Sequence, residues 1–78
     1  MERRMNTGIA ARAAEAVNEM IAARNSSATE EMKRLGIDRR YFYHWQNLEC
    51  CPNAVNLAKM AAHGYDVIYI LTGKRGKK

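Results

Sequence analysis

The run Met32-Lys33-Arg34-Leu35-Gly36-Ile37-Asp38-Arg39-Arg40-Tyr41-Phe42-Tyr43-His44-Trp45-Gln46-Asn47 reads as two short helices meeting at a tight corner. The first ends at Leu35, and Gly36 is suited to the positive φ that the residue just past a helix adopts. Asp38 opens the second helix, because its carboxylate can accept from an amide two or three residues on. Phe42 and Trp45 lie three apart and therefore share the buried face of that helix. Arg39, Arg40, Tyr43, His44 and Asn47 fall on the outer faces. An arginine pair at the start of a short helix, behind a glycine corner, is the arrangement a helix-turn-helix offers to the major groove.

Working outward, Ser27 and Glu30 have capping-box spacing, which starts the first of these helices at Ala28 and turns Met32 and Leu35 inward. Asn25-Ser26-Ser27 separates it from a longer helix over Thr7 or Gly8 to Arg24, rich in strong helix formers. Ile9, Ala13, Ala16, Val17, Met20 and Ile21 recur there at spacings of three and four, one apolar stripe. Downstream, the second helix runs to about Leu48, and Glu49-Cys50-Cys51 is a connection. Pro52 suits the first turn of a further helix, where its missing N–H costs nothing. That helix, Asn53 to His63, is expected to bury Val55, Leu57, Ala58, Met60 and Ala61, and Gly64 ends it. Asp66 can cap a last helix over Val67 to Leu71, closed by Thr72-Gly73. The residues of that segment favour a strand by propensity, but a lone strand in a helical chain has no partner. Met1 to Asn6 and residues 74–78 are expected to be flexible ends of a single domain over residues 1–78. The fold class that results is all-α, a compact bundle of about five short helices.

Thirteen Lys and Arg residues against eight Asp and Glu give a net charge of +5, which suits an anionic partner. At 78 residues there is room for one domain only. The two cysteines, Cys50 and Cys51, are adjacent, a spacing poor for a disulfide and without histidines at ligand distance for zinc. They read as reduced thiols, and with no long apolar run the expectation is a cytoplasmic protein that does not engage membranes. No acid or nucleophile is placed to use His44, so the expectation is a non-enzyme with no metal, no cofactor and no small-molecule substrate.

The chain resembles the lambda-repressor-like helix-turn-helix family, the Cro/CI-type DNA-binding domain of phage and bacterial regulators. The likeness covers roughly residues 16–73. It rests on Leu35-Gly36-Ile37-Asp38 followed by Phe42 and Trp45, on Pro52, and on the ending Gly64-Tyr65-Asp66-Val67-Ile68-Tyr69-Ile70-Leu71-Thr72-Gly73. The resemblance implies that Ser27 meets a phosphate at the start of the second helix. It puts Arg39 and Arg40 where the recognition helix first reaches base edges, Tyr43 one groove-facing turn later, and Asn47 on the backbone just after. Ile37, Phe42 and Trp45 match core positions. Met32 stands where the family has a small residue and Glu31 where it has an apolar one, which implies a second helix shifted or opened relative to the family.

The expected function is therefore a sequence-specific DNA-binding transcriptional regulator, phage-type or antitoxin-like, with a recognition helix over residues 38–47. Its candidate contacts are Ser27, Arg39, Arg40, Tyr43, His44 and Asn47. Lys33, Arg34 and the C-terminal lysines would add phosphate contacts. A forked guanidinium on guanine O6 and N7 discriminates by about 1–3 kcal/mol. The reading requires both guanidinium groups to project outward, clear of their acidic neighbours. One such helix spans few base pairs, so a homodimer on a two-fold site of double-stranded DNA is expected, paired through Tyr69 and Ile70 of the last helix. The alternative is a helical module that keeps the fold and binds protein through Tyr41, Tyr43 and Tyr69.

Overall fold

Alanine-rich segments make helices that other helices can approach closely, and the architecture is organised accordingly. The computed structural model describes residues 2–74, with side chains from Thr7 onward. Five helices follow one another: α1 (Glu2–Arg24), α2 (Ala28–Leu35), α3 (Arg39–Gln46), α4 (Ala54–Ala62) and α5 (Val67–Thr72). No strand occurs among the described residues, so the all-α bundle expected from the sequence is the fold observed. The last segment is helical despite its β-branched residues: Asp66 accepts from the Tyr69 amide at 3.0 Å, and Gly73 closes the helix at φ 80°.

Helix α1 packs against α2, α3 and α5, so its buried face is wider than one stripe. Ala10, Ala13, Ala14 and Val17 are its deepest residues, while Ile9, Ala16, Met20 and Ile21 are only partly covered. The helix also begins at Glu2 and not near Thr7; the backbone of residues 2–6, expected to fray, continues it with good helix formers. Met1 and residues 75–78, which include most of the basic tail, lie outside the described residues. Arg12 projects from α1 to the end of α5, where its Nε donates to the Ile70 carbonyl at 2.9 Å and Nη2 to that of Leu71 at 3.4 Å. A cation thus satisfies carbonyls that the last turn leaves open.

Two expectations about helix faces hold only in part, for one reason. In α4 the inward residues are Asn56 and Met60, with Leu57 partly covered, while Val55 is 62% exposed and Ala58 and Ala61 face solvent. In α5 Ile70 is fully buried, and Tyr69 turns back to donate its hydroxyl to Glu15 Oε1 at 2.7 Å. The outward apolar residues of α5 are Ile68 and Leu71, and Ile70, expected with Tyr69 at a dimer surface, lies in the core, while Tyr69 stays half-buried. Both helices are apolar on more than one side, and only their neighbours select the side that packs. Pro52 also lies outside the first turn expected of it, two places before the first helical residue Ala54. It precedes the cap Asn53, whose Oδ1 accepts from the Asn56 amide at 2.8 Å, a role asparagine fills better than a helix-interior position.

Candidate nucleic-acid interface

The corner between α2 and α3 is built by local hydrogen bonding. Ser27 Oγ accepts from the Glu30 amide at 3.2 Å, and the Ser27 amide donates to Glu30 Oε1 at 3.3 Å, a complete capping box. At the other end the Gly36 amide donates to Lys33 O and the Ile37 amide to Met32 O, both near 3 Å, with Gly36 at φ 77°. This is a Schellman closure, and its customary apolar pair is Ile37 with Met32, both in the core. Lys59, reaching over from α4, donates to the Gly36 carbonyl at 2.8 Å and ties the corner to the rest of the bundle.

Helix α3 stands on its rings. Trp45 is fully buried and Phe42 is 3% exposed, as their spacing implied. They present α3's remaining residues outward: Tyr41 and Tyr43 are 40% and 45% exposed. Helix α3 ends at Gln46, two residues short of expectation, because Leu48 takes the left-handed conformation at φ 62°. The Glu49 amide then bonds His44 O at 2.8 Å and the Leu48 amide Trp45 O at 3.1 Å. Asn47 occupies the capping position and is exposed.

The six candidate contact residues fare differently. Arg39 is exposed on the first turn, and its Nη1 approaches Thr29 Oγ1 of α2 at 3.4 Å, so this side chain spans the two helices. Tyr43 and Asn47 share the exposed side of α3 or its end. Arg40 departs from the expectation of two outward guanidinium groups. Its Nη2 donates to Asp38 Oδ2 at 2.9 Å and its Nε to Asp38 Oδ1 at 3.2 Å, while the same Oδ1 accepts the Arg40 amide at 2.9 Å. The cause is proximity across the cap: an N-cap carboxylate lies within reach of an arginine two residues on. Hydrogen bonding from that guanidinium, then from the Arg40 amide, holds the Asp38 carboxyl below its ordinary value. The reciprocal bond raises Arg40 further. His44 is also engaged, with Nδ1 at 2.6 Å from Glu49 Oε1, so an acid does stand against it where the sequence implied none. Ser27 spends both its amide and its hydroxyl on the capping box, which places a Glu30 carboxylate oxygen at the amide that would otherwise meet a phosphate.

Three features of this region escaped the sequence reading. Lys59 belongs to it through the Gly36 carbonyl, and nothing in the spacing of α4 signals that. Thr29 Oγ1 lies 3.4 Å from Arg39 Nη1 across the corner. The third is Glu31, which is fully buried at the position where the resemblance implied an apolar residue. Its Oε2 accepts the Tyr65 hydroxyl at 2.6 Å, and Arg24 Nε and Arg34 Nε stand 3.7 and 3.6 Å from Oε1. Burial, then the bond to Glu31, pushes the Tyr65 phenol well above the ordinary tyrosine range. Arg34 thereby stands near a carboxylate of its own helix while its side chain stays 46% exposed. A signal existed: a carboxylate at an inward α2 position between two arginines.

Cys50 is exposed and Cys51 half-buried, both as free thiols. Partial desolvation, then Cys51 and Glu49, raises the Cys50 thiol, the opposite of what activates a cysteine nucleophile. Among the described residues no group of three or more His, Cys, Asp or Glu is placed to hold a metal ion, and no helix is long and apolar enough to cross a membrane. Comparison with protein-family models, with curated proteins and with solved structures returns no match for this chain.

Proposed function

We propose that this chain is a helix-turn-helix DNA-binding protein, a transcriptional regulator of the lambda-repressor-like kind, which docks α3 in the major groove of double-stranded DNA. The observation that carries this reading is the outer side of the α2–α3 unit. A short capped helix, wedged from below by Phe42 and Trp45, carries Arg39, Tyr43 and Asn47 outward beside a rigid corner. The Arg40 guanidinium is exposed but paired with Asp38, so Arg39 alone stands clear of acidic neighbours as the reading required. Arg39 and Arg40 are the base-reading candidates, and exposed Lys33 is a phosphate contact beside them. Tyr43 packs on a thymine methyl or reaches a phosphate. Ser27 and His44 take lesser parts, since intramolecular bonds already occupy them. The chain acts as a homodimer, and the surface that fits pairing is the one bearing Ile68 and Leu71, 57% and 42% exposed.

The same exposed apolar residues, with Val55, favour a second reading in which the bundle binds protein and not DNA. Titration of the purified chain into mixed-sequence duplex separates the two. Groove docking with four or five phosphate contacts lowers affinity by roughly 150- to 500-fold between about 50 and 200 mM salt. Absence of duplex binding at the lower salt refutes the DNA reading and leaves the protein-binding one. Arg39→Ala and Arg40→Ala are each expected to relax preference at one base pair, while Lys33→Ala weakens all sequences alike and makes the salt slope shallower.

A further inference from the structure

Resting on the DNA reading, we infer that Asp38 and Arg40 form one recognition unit: a carboxylate-buttressed guanidinium that reads guanine, with Asp38 biasing the neighbouring base. Arginine has five N–H donors in a planar fork. Asp38 takes the Nε donor and one donor of Nη2, which are the two on the side edge of the guanidinium. The end edge, with both Nη1 donors and the second Nη2 donor, keeps the geometry that matches O6 and N7 of guanine. The Arg40 side chain is 79% exposed, so nothing in the fold covers that edge.

The buttress acts through orientation. An unpaired arginine on a helix surface samples many rotamers and loses that freedom when it binds. Here two bonds to a residue that is itself pinned as the helix cap hold the plane of the fork. Oδ1 accepts both the Arg40 amide and Nε, and Oδ2 accepts Nη2 alone. A carboxylate has about four acceptor sites, so Oδ2 keeps one for a further donor. In the major groove the donors that suit it are the amino groups of cytosine and adenine. The same charge repels phosphates, so Asp38 lowers affinity for duplex in general while raising the preference for one sequence. Those opposite signs distinguish a recognition unit from a helix cap.

The test uses the intact chain and a duplex selected by it from a random pool, with every single base-pair change measured at fixed salt. Asp38→Asn and Asp38→Ser both keep a capping oxygen, and thermal melts verify that each variant is folded. Both are expected to bind unrelated duplex several-fold more tightly. Both should also lower the guanine preference at one position by up to about fivefold, the reach of an exposed ion pair, where the unaltered chain discriminates on the order of tenfold or more. Arg40→Ala should lose the preference at that same position, and the double variant should lose no more than Arg40→Ala does. If the Asp38 variants keep or sharpen the preference, Asp38 merely sequesters Arg40 and the inference is overturned. Uniform weakening at all positions overturns it equally, as a cap defect. Failure of the unaltered chain to bind any duplex at low salt is a separate result, which removes the DNA reading itself.

Discussion

Replacing Tyr65 with Phe removes one hydroxyl and leaves the shape of the core intact, so it isolates the bond to buried Glu31. That bond is 2.6 Å long, and the carboxylate it serves is fully buried. A buried acceptor deprived of its donor costs about 1–3 kcal/mol, more when it is charged. Arg24 and Arg34 remain at 3.7 and 3.6 Å, beyond good hydrogen-bond distance and partly in solvent, so they compensate only in part. The expected loss is about 2–3 kcal/mol out of a total of about 4–10 kcal/mol for a domain this small. In a thermal melt that is a fall of about 10–20 °C. Urea unfolding with an unchanged m-value is the assay of choice. The companion variant is Glu31→Met with Tyr65→Phe, which removes both the charge and the hydroxyl that met it. Since well-packed apolar residues replace buried ion pairs at little or no cost, the double variant should recover most of the loss. The reasoning is refuted if Tyr65→Phe is neutral, or if the double variant is less stable than Tyr65→Phe alone.

The remaining predictions are independent of that one. The Tyr65 phenol is raised in the folded chain, so its contribution is complete below the unfolded value near pH 10 and is lost as pH rises beyond it. Alkaline melts should therefore fall more steeply for the unaltered chain than for Tyr65→Phe. Leu48→Gly should stabilise by about 0.5–1 kcal/mol, the left-handed penalty of about 1–2 kcal/mol less the cost of a freer unfolded chain; a measured loss would mean that the Leu48 side chain contributes more packing than its 48% exposure suggests. Gly36→Ala should cost about 1–2 kcal/mol from backbone strain alone, because a Cβ there meets nothing within 4 Å. Arg12→Met should cost about 1–2 kcal/mol by uncapping α5, seen as early loss of amide protection over residues 67–72.

Much of the secondary structure was legible because its determinants act over a few residues. Ser27 with Glu30, Gly36 with Ile37, Asp38, and Asp66 with Gly73 set helix ends through bonds to amides and carbonyls at most five positions away, and the structure places those ends where the sequence implied. Phe42 and Trp45 were legible for a related reason: α3 has polar residues on its other sides, so only one face could go inward. The candidate interface was legible to the same depth. The positions of Arg39, Arg40, Tyr43 and Asn47 on α3 follow from helical periodicity, whereas the partners chosen by their side chains do not.

From the sequence alone follow the all-helical class, the boundaries of α2 and the start of α3, and the two rings beneath the basic turn. Tertiary structure decided which sides of α4 and α5 pack, that Glu31 and Tyr65 meet inside the core, that Lys59 belongs to the corner, and that Arg40 closes on Asp38. Helix ends depend on hydrogen bonds within one turn, which a short run of residues encodes. Face selection in a helix that is apolar all round depends on which neighbours compete for the space, as does the choice among several polar partners for a long side chain. Those choices exist only once the chain is assembled.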